Sequence, residues 1–313
     1  MTEENKIAFV FPGQGSHYIG MGREIHENFD RAQETFQKAS RALKYDLAEL
    51  SFNGPKEELN KTFRTQPCIL TVSTAIYQVL VAKGVRPAVV AGHSLGEYTA
   101  LVAAEVVTFK DAVRLTEKRG QFMQEAVPEG QGLMAAILGL ERSTVEEICR
   151  SLQSGYAAPA NYNCPGQIVI AGEKGAVEEA VKICKKAGAK RAVALSVSVP
   201  SHSRLMEDAS RRLAELLDSI EFKDPQIPLV NNADAQFLDT KESIKASLIR
   251  QISRPLLWED SVSAIAQSGI ETFVEVGPGR VLSGLIRRIV PDTNMFNVED
   301  MKSLELTLSH MGV

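Results

Sequence analysis

The sequence contains few cysteines, and their spacing matches no cysteine-based site. No two of the four form a C-x-x-C pair, so the spacing indicates neither a zinc site nor a disulfide framework. We therefore expect reduced thiols that serve packing, as in a cytoplasmic protein. The role of Cys164 stays open because this residue lies in a loop of glycine and proline. The four are Cys68, Cys149, Cys164 and Cys184.

The sequence also lacks an excess of basic charge, a long apolar run and an apolar leader. Lysine and arginine number 35 against 39 aspartate and glutamate, a formal charge of −4, which argues against a nucleic-acid partner. We find no apolar run that approaches the roughly 20 residues of a membrane span. The start MTEENKIAFVFPGQGS does not resemble a signal peptide. We expect a cytoplasmic globular protein, with no membrane partner and with enough length to bury a substantial core.

The stretch PAVVAGHSLGEYTAL at residues 87–101 predicts a short buried strand, a tight turn and the start of a helix. The turn has the pattern G-x-S-x-G, with Ser94 between Gly92 and Gly96, which is typical of a nucleophile elbow. The glycines are needed because side chains would clash at so sharp a turn. The following helix directs free N–H groups toward the serine oxygen, which suits an oxygen that becomes negative. The pattern therefore favours a catalytic serine over a structural turn.

Strands and helices alternate along most of the sequence, which predicts an α/β fold with a mostly parallel sheet covered on both faces. Residues 128–196 differ, because their short segments follow the order β-α-β-β-α-β of a ferredoxin-like unit. We expect a small ferredoxin-like subdomain inserted into a larger α/β-hydrolase-like domain, which residues 1–127 and 197–313 form. Helices are expected at residues 18–29 and, in the core, at 66–83. We expect roughly the last 15 residues to form a tail or a weakly docked helix.

A serine nucleophile needs a base, and histidine is the usual one. Among five histidines, His202 is the best candidate because it follows a strand late in the chain, in the Ser…His order of elbow hydrolases. A histidine in a surface loop without a catalytic role would show the same sequence pattern. His93 lies inside the elbow and is interpreted as packing or as hydrogen-bonding support. The group that orients the base stays open, since Asp208 is near in sequence but lies on the next helix, and a backbone carbonyl could serve.

Two further features each have a structural and a functional interpretation. The loop Gly13-Gln14-Gly15-Ser16 follows the first strand but matches neither the dinucleotide nor the P-loop pattern. It is either a plain tight turn or a loop that presents a backbone N–H to a reacting oxygen. Arg119 lies on a helix predicted at residues 109–123, where periodicity alone indicates a solvated surface charge.

Six motifs lie along the chain: FPGQGS at 11–16, GHSLGE at 92–97, RGQFMQEAVPEG at 119–130, NCPGQIVIAG at 163–172, VSVPSH at 197–202 and EVGPGRVLSGL at 275–285. Their identity and order resemble those of the bacterial malonyl-CoA:acyl carrier protein transacylases of fatty acid synthesis. The resemblance covers about residues 6 to 290, nearly the whole chain. Six ordered motifs are far more specific than a single elbow.

The resemblance implies a ping-pong transfer through a seryl ester. Ser94 would carry the malonyl group, and His202 would act as its base and later as the acid for the leaving thiol. The main-chain carbonyl of Gln251 would support the histidine, in place of a carboxylate. The backbone N–H groups of Gln14 and Leu95 would form the oxyanion hole.

The resemblance also implies the binding residues and partners. Arg119 would bind the free malonyl carboxylate through a bidentate pair, and Ser201, directly before the histidine, fits a malonyl unit. The substrates would be malonyl-CoA and the phosphopantetheine thiol of acyl carrier protein, with no permanently bound cofactor or metal, in a monomer. His17, where many relatives have glutamine, would change only the groove's polarity. Three residues around the NCPG loop are candidates for contacting the pantetheine arm: Asn161, Asn163 and Gln167.

Three other functions compete with malonyl transfer. A discrete acyltransferase or acyl hydrolase of a polyketide pathway would share every motif. A plain serine esterase leaves Arg119 and the inserted subdomain without a role. A carrier-docking module without activity would not need the intact serine, histidine and arginine.

Overall fold

The structure is a computed structural model, and it describes residues 6–195 and 199–313. Its strands are β1 (Ile7–Phe11), β2 (Val89–Gly92), β3 (Gly132–Leu138), β4 (Ala157–Cys164), β5 (Gln167–Glu173), β6 (Arg191–Ala194), β7 (Leu229–Val230), β8 (Phe237–Leu238), β9 (Thr272–Val276) and β10 (Asn294–Val298). Its α-helices are α1 (Arg23–Asn28), α2 (Asp30–Leu43), α3 (Leu47–Asn53), α4 (Lys56–Leu59), α5 (Thr62–Ala82), α6 (Gly96–Ala103), α7 (Phe109–Glu125), α8 (Arg142–Ser151), α9 (Lys174–Lys186), α10 (Glu207–Asp218), α11 (Lys241–Gln251), α12 (Trp258–Gln267), α13 (Val281–Ile289) and α14 (Met301–His310). A 3-10 turn, Arg204–Met206, precedes α10.

A six-stranded sheet in the order β10-β9-β1-β2-β7-β8 organises the larger part of the fold. Its neighbours pair in parallel, except that β8 pairs antiparallel with β7. Strand β1 reads IAFVF and is almost wholly buried, because alternate residues enter the apolar clusters on the two faces of the sheet. Phe11 lies beside Gly92 in the register. The loops after β1 and β2 therefore leave the same edge side by side, and the candidate site lies there.

A second, antiparallel sheet has the strand order β4-β5-β3-β6. Its elements follow the order strand, helix, strand, strand, helix, strand, as the pattern of residues 128–196 predicts. Apolar residues of α8 and α9, among them Val145 and Val177, pack with Ile170 of the sheet. A bridge between Asn161 and Leu256 joins β4 to the segment before α12. The expected boundary between residues 196 and 197 lies outside the described residues.

Helix α5 begins four residues earlier than the helix predicted at 66–83, and its 21 residues make it longer than that prediction. Its 21 residues are long and apolar enough, by length and composition, to cross a membrane, and it is the one such helix in the described part of the chain. The expectation of no such run was therefore wrong. Within its apolar 18-residue window, 78% is nevertheless buried inside the protein, as in the core helix of a folded domain.

The structure corrects one further prediction. The helix expected at residues 18–29 is confined to α1, because Gly20 and Gly22 before it adopt left-handed φ values. For roughly the last 15 residues the prediction was a tail or a weakly docked helix, and the structure has a helix there, α14, preceded by a strand that was not predicted, β10. Strand β10 pairs in parallel with β9, and α14 begins at a capping box formed by Asp300 and Ser303. All four cysteines are free thiols and buried.

Candidate active site

Ser94 occupies a strained turn between β2 and α6. Its φ is 52°, a left-handed conformation that is uncommon for a residue other than glycine. A Cβ on Gly92 would lie 1.9 Å from the carbonyl carbon of Gly96, and one on Gly96 would lie 1.9 Å from the Phe11 oxygen. The two glycines are thus required by close backbone contacts, within the turn and against β1. The arrangement presents the Ser94 hydroxyl at the sheet edge.

His202 lies next to the Ser94 hydroxyl, and a main-chain carbonyl orients its ring. Its Nε2 is 2.8 Å from Ser94 Oγ, and its Nδ1 is 2.7 Å from the carbonyl oxygen of Gln251. Because a carbonyl oxygen can only accept, Nδ1 carries the proton and Nε2 accepts from the serine hydroxyl. Burial, and secondarily the charge of Arg119, lower the pKa of His202 to about 3. The imidazole is therefore neutral at physiological pH and is able to accept a proton.

Asp208, the alternative orienting group, does not contact the histidine. It lies on α10 and pairs with Arg211. The same α11 residue that supplies the carbonyl, Gln251, is 1% exposed. Its position at the last residue of the helix explains the geometry, since carbonyl groups at a helix C-terminus lack partners within the helix.

Arg119 is buried in the site, which corrects its interpretation as a surface charge on periodicity alone. Only 1% of the residue is exposed, and its guanidinium lies 5.2 Å from the ring centroid of Tyr98. Nη1 donates to Gln66 Oε1 at 2.9 Å, and Nη2 donates to Gln251 Oε1 at 3.0 Å and to Ser94 Oγ at 3.2 Å. The ion pairs among the described residues do not include Arg119. Its guanidinium hydrogen-bonds only to neutral amide and hydroxyl oxygens among the described residues.

Glu97 lies behind the site, fully buried on α6. Its Oε2 accepts from Gln251 Nε2 and from the backbone N–H of Asn232, each at 3.0 Å. Asn232 in turn accepts through Oδ1 from the Ser94 N–H at 2.7 Å. Burial raises the pKa of Glu97 to about 7, although these hydrogen bonds oppose the shift. This network ties the elbow to α11.

Three residues of this network were not identified from the sequence: Gln66, Glu97 and Asn232. A signal existed for Glu97, because it is the charged residue of an otherwise neutral helix, GEYTALVA. Gln66 and Asn232 are single amides in unremarkable contexts, and only the packing of α5 and of the loop after β7 brings them to the site.

A cavity of about 230 Å³ opens beside Ser94. The predicted residues that line it are Gln14, Ser94, Leu95, Arg119, Asn161, Asn163, Gln167, Ser201 and His202. Apolar side chains such as Met134, Val199 and Leu285 cover much of the remaining wall. Gln251 supports the site from behind and does not line the cavity.

The loop after β1 packs closely on the elbow. A Cβ on Gly13 would lie 2.3 Å from the carbonyl oxygen of His93, so only glycine fits this approach. Within the described residues, the backbone N–H groups of Gln14 and Leu95 donate to no protein acceptor. Both residues line the cavity, and their N–H groups are therefore free for an oxygen placed there.

The amides around the NCPG loop differ in how they are held. Asn163 Oδ1 lies 2.9 Å from His93 Nε2, which accords with the supporting role expected for that histidine. Asn161 Oδ1 is buried without a hydrogen-bond partner. Gln167 Oε1 accepts from Arg288 at 2.8 Å. Because a buried unpaired acceptor is costly, Asn161 is the amide best placed to gain a donor from a bound molecule.

Three other residues singled out from the sequence lie at the edge of the site or away from it. The Ser201 hydroxyl makes only a long contact, 3.4 Å, to the Val199 oxygen. His17 Nε2 lies 3.1 Å from Asn60 Oδ1. Cys164 is a buried thiol whose pKa is raised by burial. In the described ranges, no cluster of three or more His, Cys, Asp or Glu side chains could hold a metal ion.

Over residues 8–307 the chain matches the family described as the acyl transferase domain. It is 52% identical over 287 residues to malonyl CoA-acyl carrier protein transacylase of Escherichia coli strain K12, covering 91% of this chain and 93% of that protein. The match to the protein of that name from Bacillus subtilis strain 168 is 44% identical over 306 residues, 97% of this chain and 96% of the relative. The chain belongs to the family of malonyl CoA-acyl carrier protein transacylases.

Solved structures agree with this assignment. The crystal structure of an acyl carrier protein S-malonyltransferase from Vibrio cholerae superposes with a TM-score of 0.95 at 48% identity, over 97% of this chain and 100% of that one. A malonyl-transacylase solved in complex with its type II polyketide acyl-carrier protein superposes with a TM-score of 0.96, also at 48% identity, over 98% and 100%. The mixed α/β fold, with one mostly parallel and one antiparallel sheet, is thus that of known acyltransferases.

Proposed function

We propose that this protein transfers the malonyl group of malonyl-CoA to the phosphopantetheine thiol of acyl carrier protein, through an ester on Ser94. The observation that carries the proposal is the buried guanidinium of Arg119, without a carboxylate partner, 3.2 Å from the serine oxygen. A nucleophile with a cation at that distance suits an acyl group that ends in a carboxylate. The names of the relatives support the same reaction.

The first half-reaction uses the neutral imidazole. Ser94 Oγ attacks the thioester carbonyl while its proton passes to His202 Nε2, and the carbonyl oxygen becomes negative. The N–H groups of Gln14 and Leu95 would donate to that oxygen. When the tetrahedral intermediate collapses, the C–S bond breaks and the imidazolium returns the proton to the departing sulfur of coenzyme A.

The second half-reaction is the reverse sequence with another thiol. The phosphopantetheine thiol gives its proton to His202, its sulfur attacks the malonyl ester, and Ser94 leaves with the proton. The apolar wall of the cavity suits the pantetheine arm, and Asn161, Asn163 and Gln167 would bind its amides. Ser201, beside the histidine at the rim, would contact the acyl unit.

The proposal extends to the setting of the reaction. We infer that the protein supplies malonyl thioesters to fatty acid synthesis in the cytoplasm. We also infer that it acts as a monomer, without a resident cofactor or metal. The neighbour solved in complex with a polyketide acyl-carrier protein supports polyketide synthesis as the second candidate. The site chemistry is the same in both, and only the carrier differs.

We also propose a division into domains. Residues 1–127 and 197–313 would form an α/β-hydrolase-like catalytic domain, supported by its parallel sheet and nucleophile elbow. Residues 128–196 would form a ferredoxin-like subdomain, supported by the strand order β4-β5-β3-β6. Residues of both proposed units line the cavity.

The test is acylation followed by discharge. The protein is incubated with labelled malonyl-CoA, and the intact mass is measured before and after addition of holo-acyl carrier protein. We expect a malonyl adduct on Ser94 that moves to the carrier, and no adduct on a Ser94→Ala variant. Rapid release of free malonate without transfer would instead identify an acyl hydrolase. Carriers of fatty acid and polyketide synthesis, compared by kcat/KM, distinguish the two settings.

A further inference from the structure

Arg119 is fixed by amide oxygens, although carboxylates are the usual partners of a buried arginine. Gln66 on α5 accepts from Nη1 at 2.9 Å, and Gln251 on α11 accepts from Nη2 at 3.0 Å. Both glutamines are 1% exposed. The guanidinium therefore has a defined position with no carboxylate in direct contact, and the buried Glu97 interacts with its charge only at longer range.

The orientation of the Gln251 amide is determined from its other end. Its Nε2 donates to the Ser94 carbonyl oxygen at 3.0 Å and to Glu97 Oε2 at 3.0 Å. A flipped amide would place its oxygen against these two acceptors and its NH2 group against the arginine donors. Glu97 thereby holds the Gln251 oxygen toward Arg119 without touching the guanidinium itself.

We propose that the side chains of Gln66 and Gln251 are specificity-determining positioning residues, which aim Arg119 at the acyl carboxylate and leave its charge unpaired. The inference rests on the proposed malonyl transfer. A carboxylate at either position would form a buried ion pair with Arg119 and compete with the acid group of the substrate. A neutral acyl group such as acetyl would not meet this competition.

The substitution Gln66→Glu tests the inference, because it keeps the size and the acceptor but adds a charge. The matched control is Gln78→Glu on the same helix, where Gln78 accepts from Thr35 Oγ1 at 2.8 Å. Twelve residues of helix place it about 18 Å from Gln66 along the axis. We measure kcat/KM for acylation of Ser94 by malonyl-CoA and by acetyl-CoA in both variants and in the unaltered protein.

We expect Gln66→Glu to lower malonyl kcat/KM by about tenfold or more, with acetyl kcat/KM within about threefold and the control unchanged for both donors. A malonyl-to-acetyl ratio unchanged in Gln66→Glu, while the unaltered protein transfers malonyl, would overturn this inference alone. Failure of the unaltered protein to accept malonyl would overturn the proposed function together with it.

If Gln66→Glu loses activity with both donors, Gln66→Met decides instead. This variant removes the acceptor without adding charge, so Arg119 is held on one side only. We expect a higher KM for malonyl-CoA, because the cation is less well placed, and unchanged acetyl acylation. An unchanged malonyl KM would contradict a positioning role for Gln66.

Discussion

Replacing Arg119 by alanine removes the one cation that contacts the Ser94 hydroxyl within the described residues. A malonyl carboxylate would then enter a buried site that offers it no charged donor. Two charge-assisted hydrogen bonds at about 1.5–3 kcal/mol each amount to about 3–6 kcal/mol. If they form in the transition state, their loss lowers malonyl kcat/KM by about a hundredfold to ten-thousandfold.

Acetyl-CoA provides the internal control for Arg119→Ala. The variant leaves the oxygens of Gln66 and Gln251 without their donor, and any resulting distortion affects both acyl groups. An acetyl group has no carboxylate, so we expect its kcat/KM to stay within about tenfold of the original value. The control variant is Arg114→Ala on the same helix, an exposed arginine whose Nε lies 3.4 Å from the Ala42 oxygen.

The assay is stopped-flow or quench measurement of Ser94 acylation, with each donor at subsaturating concentration. The malonyl-to-acetyl ratio should fall steeply in Arg119→Ala and stay constant in Arg114→Ala. Equal losses with both donors would refute the assignment of Arg119 to the carboxylate and would leave it only a supporting role for the elbow.

Three further predictions concern pH and packing. Because burial lowers the pKa of His202 to about 3, malonyl kcat/KM should not fall tenfold per pH unit between pH 6.5 and 5; such a fall in a pH–rate profile would contradict a neutral base. The folded-state pKa of Glu97 is raised to about 7 from 4.5, so the free energy of unfolding should fall by about 3 kcal/mol as the pH rises from 4.5 to 7. Denaturant titrations should therefore show Glu97→Gln becoming more stable relative to the original protein as the pH rises. A difference in unfolding free energy that stays constant with pH would contradict this. Gly96→Ala should destabilise the folded protein by about 1–3 kcal/mol, since its Cβ would lie 1.9 Å from the Phe11 oxygen. The control Gly284→Ala, on an exposed helix surface where the added Cβ would have nothing within 4 Å, should raise the melting temperature. Equal effects of the two substitutions on stability would disprove the packing argument.

Local patterns predicted the elements that depend on neighbours in sequence. The strand and helix of the elbow, β2 and α6, and helix α7 occur where the pattern placed them, because short apolar runs and turn residues are governed by local sterics. Strand β10 (NMFNV) was not predicted, since asparagine occupies two of its five positions and the strand is defined by its pairing with β9. Edge strands of this kind carry little signal of their own.

The family, and a serine–histidine chemistry for the site, could be predicted without any tertiary structure. A serine between two glycines and a late histidine predicted the nucleophile and the base, and six ordered motifs indicated the family. The environment of Arg119 could not be predicted in this way: helix periodicity indicated solvent, whereas the packing of α5, α7 and α11 buries the side chain between two amides. The physical reason is that burial and hydrogen-bond partners arise from residues far apart in sequence, 53 and 132 positions here, which no local pattern encodes.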